Sequence, residues 1–235
     1  LFRSEPFIQW VIEDNFVCGR PEWETAGVQM VENVLPWEQM KLRMLNGSHS
    51  FLAYLGYLAG FQHISDCMQD SAFREAAHRL MLNEQAPTLQ ITDVDLDQYA
   101  LSLLERFANP ALKHKTWQIA MDGSQKLPQR MLEGIRVHLA RQSEWPLLAL
   151  GVAGWMRYVS GVDDSGAAID IRDPLSEKIA ALVKQSTESE RVSALLSLRE
   201  IFATDLVQNP QFVAAIQQAW QRIAQYGAHQ AVIDT

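Results

Sequence analysis

Apolar residues recur along most of this chain at intervals of three and four, the spacing that lines one face of an α-helix. From Pro36, a residue suited to a first helical turn, Met40, Leu42, Met44 and Leu45 carry the pattern to Asn46-Gly47, which reads as a break. Ser48 then stands as the cap of a helix whose apolar face holds Leu52, Leu55 and Leu58 and which Gly60 ends. Further helices are predicted over residues 71–84, 96–108, 128–141, 147–159, 174–185, 189–202 and 210–226. Ser71 and Asp95 stand before two of them, and Asn209-Pro210 places a capping side chain ahead of a proline at the first helical position. Residues 1–35 mix aromatics, glycine and proline, as in Trp10-Val-Ile-Glu-Asp-Asn-Phe16 and Gly19-Arg-Pro21, and predict extended or loop structure with one short element. The only strand candidate is 167–171, beside the turn Asp163-Asp-Ser-Gly166. The expected fold is all-α with roughly eight to ten helices, residues 1–35 forming a connector and 36–235 the helical domain.

At 235 residues and 48% hydrophobic, the chain is long enough to bury a full core. Its net charge of −8 and lack of any basic tract argue against a nucleic-acid partner. The apolar runs 51–61 and 147–156 fall short of the ~20 residues that a membrane-spanning helix requires. Cys18 and Cys67 share no CxxC spacing, which suggests a reduced, cytoplasmic setting rather than a zinc site or a disulfide framework. The start, Leu1-Phe-Arg-Ser-Glu-Pro-Phe7, reads like mid-chain sequence, so a fragment of a longer protein is expected. Neither GxGxxG nor GxxxxGK[ST] occurs, and Gly151-Val-Ala-Gly154 sits inside an apolar helical run where close helix packing explains it.

Chemistry concentrates in Lys41-Leu-Arg-Met-Leu-Asn46-Gly-Ser-His49. On a continuous α-helix Asn46 would lie about 140° and His49 about 80° from Lys41, on one broad face that also carries apolar side chains. A lysine on such a face is expected to be desolvated, which lowers its pKa and prepares it as a general base. An amide and an imidazole beside it can donate to a carbonyl oxygen that gains negative charge. The same spacing equally allows a lysine that snorkels to solvent, a helix break at Asn46-Gly47 and a satisfied core histidine. A second candidate is Lys126 in Asp122-Gly-Ser-Gln-Lys-Leu-Pro128, a cation expected at a helix N-terminus against the macrodipole and so suited to an anion or a polyhydroxyl ligand, or else a solvated loop lysine.

Lys41-x4-Asn46-x2-His49 followed by Ser50-x-Leu52-Ala53-Tyr54-Leu55-Gly56 resembles the catalytic motif of the mannitol dehydrogenase family, the long-chain, polyol-specific, NAD-dependent dehydrogenases. Trp10–Phe16 with Gly19-Arg-Pro21, and Asp122-Gly-Ser-x-Lys126-x-Pro128, match two further family blocks in the same order. Residues 117–130 look most like the fructuronate reductase (mannonate oxidoreductase) branch.

The resemblance implies a two-domain enzyme: an N-terminal Rossmann-type domain for NAD, not contained in this chain, and a helical C-terminal substrate and catalytic domain, which this chain resembles. It carries Lys41 over as general acid/base and Asn46 and His49 as groups that orient substrate and stabilise the alkoxide. Lys126 matches a substrate-contacting lysine, and a sugar-acid carboxylate adds Arg43 and Arg130 as candidate cations. Relatives acting on uncharged polyols tend to carry arginine where this sequence has Gln118, which turns the expectation toward a sugar acid. Mannitol, arabinitol or altronate dehydrogenases, and a non-catalytic helical interaction module, are the competing readings. No metal is implied, since lysine replaces the zinc of other alcohol dehydrogenases. The isolated chain, lacking a dinucleotide fingerprint, is expected to bind no NAD and to be inactive.

Overall fold

The structure is a computed structural model that describes residues 8–235. The expectation drawn from residues 1–7 lies outside the described residues. Beyond a short N-terminal segment every regular element among the described residues is a helix, as the periodicity predicts. The segment itself holds more order than one short element. Strands Val11–Glu13 and Gln29–Val31 pair in parallel, Val11 opposite Gln29, with a short 3-10 turn, Trp23–Ala26, between them. Arg20 clasps this turn through two-pronged ion pairs to Asp14 and Glu24, which explains the Gly-Arg-Pro block: Gly19 takes a positive φ and the guanidinium closes the loop. The strand expected over 167–171 is absent; only an isolated bridge, Val162 to Ala168, forms there.

The clearest departure concerns Asn46-Gly47. It ends no helix. Leu35–Met40 is α-helical, Lys41–Gly47 is a π-helix, and Ser48–Leu58 resumes the α form without interruption, Gly47 itself lying at φ −65° and ψ −49°. Ser48 is therefore interior, and its hydroxyl donates to Gln85 Oε1 at 2.9 Å instead of capping. Residues 71–84 and 128–141 are split in the same way, with π-helical segments at Leu80–Gln85 and Pro128–Leu132. The cap of the first is Asp70, one residue before Ser71, its carboxylate accepting from the amides of Ala72 and Phe73. Asp95 and Asn209 cap as expected.

The Ser48–Leu58 helix is the centre of the core: Phe51, Leu52, Ala53, Tyr54 and Leu55 are fully buried. It packs on Pro146–Val159, which in turn packs on Pro210–Ile233, a helix kinked at Gly227. Gly151 and Gly154 allow the first contact, since a Cβ at Gly154 would stand 2.8 Å from Leu55 Cδ2 and one at Gly151 3.3 Å from Phe51 Cδ2. The packing explanation of Gly151-x-x-Gly154 holds. Each of the large side chains sealed there contributes about 1.5–3 kcal/mol of apolar burial. That rigid helix presents His49 at its first turn.

Candidate active site

The π-helix changes the geometry of the Lys41 motif. Its hydrogen bonds run from residue i to i+5, so residues five apart come nearly into line, as residues four apart do on an α-helix. Lys41 and Asn46 are five apart and stand at either end of one π turn. The α-helical separation of about 140° therefore does not apply. Lys41 is exposed rather than desolvated, because the face it stands on is open in this chain. Asn46 is half-buried, and its carbonyl lies 3.4 Å from Arg130 Nη1.

His49 follows one turn later. Its ring stacks on Phe107, centroids 5.0 Å apart at 12°, and lies 5.3 Å from the ring of His114. The Nε2 atom is shielded from solvent and has no partner among the described residues. Burial first, then the charges of His114, Arg130, Arg106 and Lys126, push its pKa down to about 3, so the imidazole is neutral at pH 7. Although the whole chain is acidic, the charges of Arg130, Arg106 and Lys126 all act on this ring. An orphaned buried nitrogen in a positive neighbourhood suits an anionic or oxygen-rich ligand.

Lys126 does not oppose a helix dipole. It lies in the last turn of Gly123–Leu127, and its ammonium donates back to the carbonyls of Met121 and Ile119, at 2.5 and 3.3 Å, where the preceding helix Thr116–Ala120 ends. A cation on helix C-terminal carbonyls is favourable. Asp122 in the left-handed conformation (φ 55°) makes the turn that brings the two helices together. Burial, then repulsion from Arg130, lowers the Lys126 pKa.

Gln118, exposed in the same turn, immediately precedes the Ile119 carbonyl that Lys126 holds. Arg43 belongs elsewhere: it is 7% exposed and its Nη1 donates to both the carbonyl and the hydroxyl of Thr88, at 2.8 and 2.9 Å. It ties the π-helix to the Ala86–Thr88 turn.

The motif spacing did not disclose Phe107 or His114, whose rings pack against His49. It gave no sign of Trp155 either, whose indole Nε1 is buried without a partner near Gly123. Phe107, His114 and Trp155 lie far from the motif in sequence and carry no local signal. Among the described residues no group of three or more His, Cys, Asp or Glu side chains could hold a metal ion, and no helix is long and apolar enough to cross a membrane.

Comparison with known proteins finds relatives for both the sequence and the fold. The sequence model of the mannitol dehydrogenase C-terminal domain matches residues 33–224. The chain is 76% identical over 231 residues to the oxidoreductase YeiQ of Escherichia coli K12, covering 98% of this chain and 47% of that protein. It is 57% identical to the D-mannonate oxidoreductase of the same organism, covering 97% and 47%. Among solved structures, the mannitol 2-dehydrogenase of Pseudomonas fluorescens, in ternary complex with NAD and D-mannitol, superposes with a TM-score of 0.89 at 37% identity, covering 97% of this chain and 46% of that one. The chain thus spans about half the length of the relatives it matches. The match across its helical part and the shared fold make this chain a member of the mannitol dehydrogenase C-terminal domain family.

Proposed function

We propose that this chain is the substrate-binding and catalytic domain of a cytoplasmic NAD-dependent oxidoreductase that interconverts a secondary alcohol of a sugar acid, of the fructuronate/mannonate type, with its ketone. The observation that carries this reading is the π turn aligning Lys41 with Asn46 one turn ahead of a neutral His49. The similarity to a D-mannonate oxidoreductase and Gln118 in place of an arginine both favour the acid over an uncharged polyol.

In this reading Lys41 Nζ takes the hydroxyl proton in oxidation and returns it in reduction. The Asn46 amide and the His49 ring donate to the same oxygen as its charge grows, and neutrality leaves the imidazole one N–H to donate. Lys126, anchored by two carbonyls, keeps a third N–H for the substrate carboxylate or hydroxyls. NAD supplies the hydride chemistry. Neither strand leads through a glycine-rich turn into a helix, so the described residues offer it no pyrophosphate cradle.

An N-terminal Rossmann-type domain of the same protein would hold NAD and cover the open face. Ile8, Trp10, Phe16, Val17 and Leu35, between 40% and 99% exposed, form the apolar surface that it would bury. The test is the full-length protein, assayed for NAD reduction with mannonate, altronate, mannitol and arabinitol. Turnover with a sugar acid well above any polyol supports the reading, and turnover with polyols alone overturns its substrate class.

A further inference from the structure

Three π-helical segments in one chain are unusual, and the first packs against both of the others. Gly47 lies where they meet: a Cβ there would stand 2.5 Å from Gln85 Nε2 and 2.7 Å from the Arg130 carbonyl oxygen. On one side Ser48 holds Gln85. On the other, Arg130 Nη1 donates to Ser50 Oγ at 3.0 Å and points at the Asn46 carbonyl at 3.4 Å.

We propose that Arg130 is a positioning residue and not a carboxylate-binding one: its grip on Ser50 and the Asn46 carbonyl keeps residues 41–47 in the π register that lines Asn46 up with Lys41. A carboxylate is bound best by two parallel N–H groups of one guanidinium. The edge through Nη1 is compromised here, since that nitrogen is engaged by Ser50 and Asn46. Burial lowers the Arg130 pKa, in keeping with a group withdrawn from solvent into the protein. A rare backbone form persists where its surroundings fix it, and the Arg130 clamp and the tight seat of Gly47 do so from one side. A relaxation to α geometry would swing Asn46 away from Lys41 around the helix. Any oxygen they share would lose one of its two partners.

The proposal rests on the reading that Lys41 and Asn46 serve one reacting oxygen, so Lys41→Ala is measured in parallel. In the full-length enzyme acting on its sugar acid, Arg130→Met is expected to lower kcat by about 10²-fold, the effect of misplacing a reacting group by about 1 Å. The KM should stay within about threefold, because substrate contacts made equally in ground and transition states are untouched. Added guanidinium ion should restore part of the lost kcat. Ser50→Ala, which removes one anchor, should shift kcat in the same direction by less, and it decides the matter where Arg130→Met fails to fold. A KM raised about tenfold or more with kcat retained, in either variant, overturns the proposal by making Arg130 a substrate ligand. Retained turnover in Lys41→Ala removes the underlying reading instead, whatever the Arg130 variants do.

Discussion

Gly47→Ala is the substitution on which two opposing effects can be weighed. Gly47 has helical dihedrals, so alanine would by itself stabilise the backbone by about 1 kcal/mol. Against this stands the new methyl group, 2.7 Å from a backbone carbonyl and 2.5 Å from an amide nitrogen. The amide cannot swing aside cheaply, because Gln85 is 1% exposed and its Oε1 is held by Ser48. The carbonyl belongs to the backbone of another π-helix and moves only with it. Overpacking of this kind costs about 1–3 kcal/mol, and where backbone must move the upper half applies. The net loss should be about 1–2 kcal/mol, lowering the Tm by roughly 2–8 °C for a chain of this size.

Gly134→Ala is the matched control. It lies in the Glu133–Arg141 helix, and its new Cβ would meet nothing closer than Leu148 Cδ1 at 3.7 Å. There the intrinsic gain of about 0.5–1 kcal/mol is unopposed and the Tm should rise by about 2 °C. Thermal unfolding followed by circular dichroism checks both variants, and kcat should fall in Gly47→Ala alone. A Gly47→Ala protein as stable and active as its parent would refute the argument that the π-helices need this gap.

His49 binds a proton below its ordinary pKa of 6.5 when unfolded but only near 3 when folded. Stability should therefore fall as pH drops through that window, by on the order of 5 kcal/mol in full. Urea unfolding at pH 7 and pH 4.5 should show His49→Gln losing less stability on acidification than its parent, and equal losses would contradict the burial of the ring. Lys126→Met should raise the KM for the sugar acid with kcat largely kept, since that contact is made in ground and transition states alike; an unchanged KM would rule the contact out. The isolated 235-residue chain should leave its tryptophan fluorescence unchanged on titration with NADH, and micromolar binding would place a cofactor site within it.

Helix positions were legible because apolar periodicity and capping residues act locally: Leu96–Ala108 and the Asn209-Pro210 start fall where the pattern puts them. The π-helices were not. A π turn leaves the three-and-four apolar period nearly intact, and its cause at Gly47 lies in Gln85 and Arg130, far along the chain. Asn46-Gly47 therefore read as a break when it is a seam between helices. The Lys126 argument failed for a related reason. The helix it caps is the one before it, Thr116–Ala120, too short to show a period of its own. Arg43 shares a segment with Lys41 and Asn46, yet its guanidinium bonds to Thr88, a partner that spacing cannot show. The motif residues Lys41, Asn46, His49 and Lys126 carried the resemblance to the family. Phe107 and His114, which pack against His49, become visible only in three dimensions.

In the proposed reaction it is Lys41 that moves the proton. Turnover of the full-length enzyme with Lys41→Ala tests it most directly. Lys41 is exposed, so its loss should leave the Tm unchanged, while turnover should fall by at least the ~10²–10⁴-fold typical of a missing general acid/base. Turnover near that of the parent enzyme would contradict it.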